Sequence, residues 1–190
     1  MGWIIGLVIV GVIVLVVVGI ALWVMGLYNR LVNMRERVRA AWSHIEVLLK
    51  RRHDLIPNLV ESVRGYASHE SQTLESVIAA RNNAVAARGV EQQAKAEGAL
   101  TGALGRLFAV AEAYPELRAN QNFMQLQNEL TDTENGIASQ RQGYNNTVRD
   151  YNTQIMSFPA NLIAGSFGFN AQPFFETTTS EEREAPRVKF

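Results

Sequence analysis

The sequence predicts an all-α protein. It has a single N-terminal transmembrane helix continuing into an elongated antiparallel bundle of three to four helices, closed by an irregular Phe/Gly/Pro-rich segment. Three observations carry this prediction. Trp3 to Leu27 reads WIIGLVIVGVIVLVVVGIALWVMGL, without one ionisable side chain. Beyond it, apolar residues recur at gaps of three, four and seven, the spacing of a helix seam. From Phe123 to Phe158 a second column returns on every seventh residue. The expected organisation is an anchor over 1–27, a bundle over 28–158, an irregular aromatic-rich segment over 159–176 and a flexible polar tail over 177–190.

At about 1.5 Å of rise per residue the apolar run covers roughly 37 Å, enough for the ~30 Å hydrocarbon layer with some tilt. Trp3 at one end, and Trp23 to Tyr28 at the other, are placed to mark the two interfaces. Gly11, Gly19 and Gly26 are small residues that let a neighbouring helix approach, and Gly2 and Gly6 do the same on roughly the opposite side. The flanks set the orientation. Only the α-amino group precedes the span, whereas Arg30, Arg35, Arg37, Arg39, Lys50, Arg51 and Arg52 follow it against Glu36 and Glu46. Retention of basic flanks in the cytoplasm predicts the N-terminus out and the body in, with a periplasmic or extracellular body as the alternative. A cleaved signal would want a basic leader, a shorter apolar core and small residues before the cut, and all three are missing.

The first seam has two columns, Leu31, Val38, Ile45, Leu59, Tyr66 and Trp42, Leu49, Ile56, Val63, with Arg52 as the polar interruption. No helix breaker separates it from the span, so one nearly continuous helix is expected, kinked at Pro57. Glu46, Lys50 and Asp54 follow at steps of four and are expected to support the solvent face by a few tenths of a kcal/mol per pair. Gly65 weakens the helix end, and Ser68, Ser71 and Thr73 offer caps for a fresh start. A second helix follows through Leu74, Val77, Ile78, Ala84 and Val85 to about Arg88, where Gly89 makes a break.

From Val90 to Tyr114 the chain is rich in Ala and Gly, with a sparse stripe at Leu100, Leu104, Leu107, Phe108 and Ala111. Gly98, Gly102 and Gly105 each cost up to ~1 kcal/mol against Ala, which suggests close helix packing or local mobility. Pro115 and Glu116 suit the first turn of a last long helix, expected from Glu116 to Ser157. Its column is Phe123, Leu130, Ile137, Tyr144, Tyr151 and Phe158, joined by Leu126, Val148 and Ile155. Two helices of similar length pair antiparallel. After Pro159 the chain holds Phe167, Phe169, Phe174 and Phe175, too many aromatics to leave uncovered. The base of the bundle, a neighbouring subunit and the lipid interface are the three available coverings.

Chemistry is thin. Formal net charge is zero, with 18 basic and 18 acidic side chains, so no overall field argues for nucleic acid. The absence of cysteine excludes disulfides, thiolate metal sites and a cysteine nucleophile, and fits a reducing compartment. There is no HExxH, no phosphate-cradling glycine loop and no GxSxG elbow, so no catalytic, cofactor or metal residues are assigned and an enzyme is not expected. His44 and His53 lie about 180° apart on a continuous helix, and His53 and His69 about 160°, so they cannot share a site without the Pro57 kink intervening.

Two blocks carry a family resemblance. YNRLVNMRERVRAAWSHIEVLLKRRHDLIPNLVESVRGYASHE, from Tyr28 to Glu70, resembles the signature of the LemA family of bacterial membrane-anchored helical proteins. AEAYPELRANQNFMQLQNELTDTENGIASQRQGYNNTVRDYNTQI, from Ala111 to Ile155, followed by the Phe158-Pro159-Ala160-Asn161 turn and the Phe-rich close, resembles it in the same order. The resemblance implies a bacterial protein with a single N-terminal span and an elongated helical body. It implies no catalytic residues, and only a loose association with membrane organisation and the cell envelope.

The expected function is a non-enzymatic scaffold in the bacterial cytoplasmic membrane, in contact with lipid and self-assembling into a homo-oligomer. The alternative is an adaptor that docks another membrane or envelope protein through the basic His44 to Glu61 stretch. The candidate interaction surface is Lys50, Arg51, Arg52 and Asp54, together with Phe167, Phe169, Phe174 and Phe175. A third class, a lipid-surface binder, predicts vesicle binding that falls steeply with salt.

Overall fold

In the computed structural model residues 1–176 are described, and among them every regular element is a helix. These are α1 Gly2–Arg64, α2 Ser71–Ala86, α3 Val90–Glu112, α4 Pro115–Arg118, α5 Gln121–Met156 and α6 Asn161–Ala164. The tail expected over 177–190 lies outside the described residues. The apolar run passes straight into the seam, so span and first bundle helix are the single α1, with Pro57 inside it. The chain divides into two compact units, to both of which α1 and α5 contribute.

The first unit joins Met1–Ala40 to Asn146–Gln172. Its N-terminal stretch is apolar and largely exposed. Beyond the span the periodic residues turn inward. Leu31 and Val38 are buried, as are Val148, Tyr151 and Ile155 of α5 and Ala160, Ala164 and Phe169 after it. Asn152 fastens the returning chain, because its Oδ1 accepts the Gln172 N–H at 2.8 Å and its Nδ2 donates to the Gln172 carbonyl at 2.9 Å.

The second unit joins Ala41–Asn145 to the described residues from Pro173 on. Here α1 and α5 run antiparallel: Trp42 meets Tyr144, Leu48 meets Gly136, and Arg52 meets Glu134. Gly136 permits the approach, since a Cβ there would sit 3.3 Å from Leu48 Cδ1. The hairpin of α2 and α3 completes the core with Leu74, Val77, Leu100, Leu104 and Leu107 against Ile56, Leu59, Val60 and Val63. Gly89 makes the turn between them at φ +77°, a conformation that favours glycine.

Several local expectations are corrected. The last long helix does not begin at Glu116, because α4 stops at Arg118 and α5 starts at Gln121. Asn120 accounts for the new start: its Oδ1 accepts the Phe123 N–H at 3.1 Å, a side-chain cap. Ser68, Ser71 and Thr73 do not cap α2, whose N-terminal position is Glu70 without a side-chain cap bond. Gly98, Gly102 and Gly105 do not mark close packing, since a Cβ at each would meet nothing within 4 Å. Phe158 continues the seven-residue spacing but is 79% exposed, because α5 has ended at Met156.

Candidate functional site

The polar interruption of the first seam is the centre of the second unit's chemistry. Arg52 occupies the column of Ile45 and Leu59, so its side chain points into the core and is 1% exposed. A lone buried guanidinium is costly, and α3 and α5 supply its partners. Arg52 Nη1 donates to Glu97 Oε2 at 2.7 Å, and Nη2 donates to Thr101 Oγ1 at 2.7 Å and to Glu134 Oε1 at 2.5 Å. The second Glu97 oxygen, Oε1, accepts Gln93 Nε2 at 2.8 Å and faces His53 Nε2 at 2.8 Å. Gln93, Glu97 and Thr101 stand four residues apart and so share one face of α3.

The two carboxylates around Arg52 shift in opposite directions. Burial pushes Glu97 up, but the His53 hydrogen bond and the charges of Arg52 and His53 outweigh it and hold the carboxyl below 4.5. Ionised Glu97 only accepts, which places the proton of His53 on Nε2. Glu134 is raised, by burial first and by the negative charge of Glu97, with Arg52 pulling the other way. One guanidinium is shared between two carboxylates, and among the described residues Glu97 has further donors in His53 and Gln93.

Beside this cluster lies a cleft of about 400 Å³, in which Lys50, His53 and Asp54 of α1 face Arg81 and Val85 of α2 and Arg88 beyond it. Arg81 is tied down by its Nε bond to the His53 carbonyl at 3.2 Å. The expected Glu46–Lys50 and Lys50–Asp54 pairs do not form among the described residues, since Glu46 instead accepts the Trp42 indole N–H at 2.7 Å. Lys50 and Asp54 are exposed, and among the described residues neither forms an ion pair. Arg51 is exposed and, among the described residues, pairs with Glu129 at 4.0 Å.

The structure therefore divides the expected interaction surface. Lys50, Arg51 and Asp54 are exposed, whereas Arg52 is buried, because the helix period turns it inward. Among the aromatics, Phe167 and Phe174 are exposed, while Phe169 and Phe175 are core. Phe169 packs on Tyr28 at 5.5 Å and under the Arg35 guanidinium at 5.1 Å. Phe175 packs edge-on against Trp42 at 5.4 Å, and its backbone N–H and carbonyl are both held by Asn145. In the span, Trp3, Gly11, Gly19, Trp23 and Gly26 are exposed and Leu27 is half-buried. His53, Gln93, Glu97, Thr101 and Glu134 were not singled out from the sequence as site residues; the signals were the charged break in an apolar column and the four-residue steps on α3.

Tyr144 is buried, donates to the Pro173 carbonyl at 2.8 Å, and has its phenol pushed up to about 12 by burial. A raised phenol favours the neutral form in the folded state, so its contribution is whole below 10.0 and is lost as pH rises through about 12. Burial also raises the phenol of Tyr151, so phenolate absorbance is expected to show a late-titrating component that shrinks, without vanishing, in Y144F. Titration of every tyrosine near 10.0 would contradict this burial.

Among the described residues no cluster of His, Cys, Asp and Glu is arranged to hold a metal ion. An apolar, lipid-length helix leading into a packed helical bundle defines a membrane-associated all-α protein. The chain belongs to the LemA family, whose profile it matches over residues 41–190. It is similar to magnetosome protein MamQ 2 of Paramagnetospirillum magneticum, with 29% identity over 78% of this chain and 64% of that protein. Magnetosome protein MamQ of Magnetospirillum gryphiswaldense gives the same figures, 29% identity over 78% and 64%. Protein LemA of Metamycoplasma hominis is 25% identical over 82% of this chain and 72% of its own length. The match to the MamQ proteins thus spans just under two thirds of their length.

Proposed function

We propose that this chain is a non-enzymatic helical scaffold of the bacterial cytoplasmic membrane, oriented with its N-terminus out, which self-assembles into a homo-oligomer and so organises or shapes the bilayer. The observation that carries the reading is the open glycine face of the span. A Cβ at Gly11, Gly19 or Gly26 would meet nothing within 4 Å, so this surface is free to receive a second helix at close range. Membership of the LemA family and the lipid-length apolar helix support membrane association, and the basic residues after Leu27 support the orientation. Cross-linking in intact membranes is expected to give dimers and larger species, reduced in the Gly19→Leu/Gly26→Leu variant while insertion persists. A monomer band alone, under conditions that cross-link a known oligomer, would overturn self-assembly.

The cleft favours a second reading, an adaptor that docks another membrane or envelope protein. Lys50 and Asp54 form no ion pair among the described residues, and they border Arg81 and Arg88. Under this reading Lys50→Glu releases a co-purifying partner and leaves the cross-linked species intact. Under the scaffold reading with these charges at the subunit contact, the same change weakens the cross-linked species.

A further inference from the structure

The first unit carries an apolar surface that its own core does not use. Met156, Phe158, Leu162 and Phe167 are 68%, 79%, 65% and 50% exposed. They lie on the end of α5, the turn at Pro159, α6 and the chain just after it. Ring contacts fix where this segment sits along α1. Phe167 meets Tyr28 edge-on with centroids 5.3 Å apart, and Phe169 meets the same ring. Tyr28 is the residue immediately after the apolar run.

Burial within the span agrees. Almost all of 2–26 is exposed, yet Val24 and Leu27 are partly covered. In this unit the only chain outside α1 is Asn146–Gln172, so the segment overlies the final turn of the span. At that depth α1 is leaving the hydrocarbon, and anything packed beside it shares its surroundings.

The segment's composition fits those surroundings independently. Between Asp150 and Glu176 there is no Asp, Glu, Lys, Arg or His. An exposed soluble turn of that length is ordinarily charged, whereas a segment resting among lipid headgroups favours bulky apolar and aromatic side chains and avoids charge. Arg30, Arg35 and Arg37 stand one to three turns further along α1, where basic side chains meet lipid phosphates.

We propose that residues 156–167 form a second, interfacial membrane contact. Met156, Phe158, Leu162 and Phe167 enter the lipid headgroup region beside the emerging span, and the occupant of this apolar face is the bilayer that holds α1. With two points of attachment, the first unit is fixed in rotation about α1 as well as in depth. The inference rests on membrane association, not on self-assembly.

Because the chain has no cysteine, single labels can be placed in the full-length protein without other changes. Phe158→Cys and Leu162→Cys would carry an environment-sensitive fluorophore, with Met25→Cys as the in-membrane reference and Asp150→Cys as the aqueous one. Each would be placed in phosphatidylcholine/phosphatidylglycerol nanodiscs at one copy per disc, with lipids spin-labelled near the headgroup. The labels at 158 and 162 are expected to emit to the blue of the one at 150 and to be quenched to within about twofold of the one at 25. Quenching no greater than at 150 would overturn the proposal. So would protection that arises only when several copies share a disc, which would give the face to a second copy.

Discussion

Replacing Arg52 with leucine is expected to lower the stability of the solubilised full-length protein by about 3–5 kcal/mol, because it strands a buried carboxylate. Glu97 is 2% exposed, and without Arg52 it retains only Gln93 and His53 as donors. The companion variant R52L/E97L is expected to recover most of that loss, to within about 2 kcal/mol of the original protein. Leucine at position 52 restores the apolar column of Ile45 and Leu59, and Glu134, which is 37% exposed, can turn to water. Denaturant unfolding of both variants makes the test. A cost below about 1 kcal/mol for R52L alone would place the cluster at the surface instead.

The same cluster gives an acid dependence with a definite sign. Glu97 is held below 4.5, so its ionised form contributes stability above that value which is lost as pH falls through the lowered one. Glu134 is raised and runs the other way, its contribution being whole below 4.5 and lost as pH rises through the raised value. Melting of the original protein is therefore expected to fall as pH drops well below 4.5. In R52L/E97L that acid loss is reduced, and an unchanged acid limb would remove Glu97 as its source.

Phe175→Ala is expected to cost about 3–4 kcal/mol, the loss for a fully buried phenyl ring. Phe175 is 1% exposed and closes a stack with Trp42 and Tyr144, whose centroids lie 5.5 Å apart. The neighbouring Phe174→Ala, at a side chain 38% exposed, is expected to cost less than about 1 kcal/mol. Unfolding of the two variants side by side checks the assignment, and equal losses would contradict it.

That contrast shows what the sequence makes legible and what it hides. Leu31, Val38, Ile45 and Leu59, and Phe123, Leu130, Ile137, Tyr144 and Tyr151, are buried as their seven-residue spacing predicts, because a helix converts spacing into direction. Past α6 the described backbone is irregular, so Phe167, Phe169, Phe174 and Phe175 have no period from which to read inward or outward. Their fates follow from contacts with Tyr28 and Trp42, far away in sequence. Arg52 is visible as a break in an apolar column, but its partner is not. Glu97 lies in an Ala/Gly-rich helix whose register against α1 is decided by packing, and nothing local distinguishes it from Glu91. Asn145 and Asn152, seven residues apart, each hold a backbone N–H and carbonyl of the returning chain. Amide side chains on a polar face give no sign of that role before the partner strand is placed.

The central claim is self-assembly through the span, and its most direct test is the mass of particles released from native membranes in polymer-bounded discs without detergent. The account predicts a discrete multiple of the single-chain mass that shifts downward in Gly19→Leu/Gly26→Leu. A single-chain mass for the original protein would contradict it and leave α1 as an anchor alone.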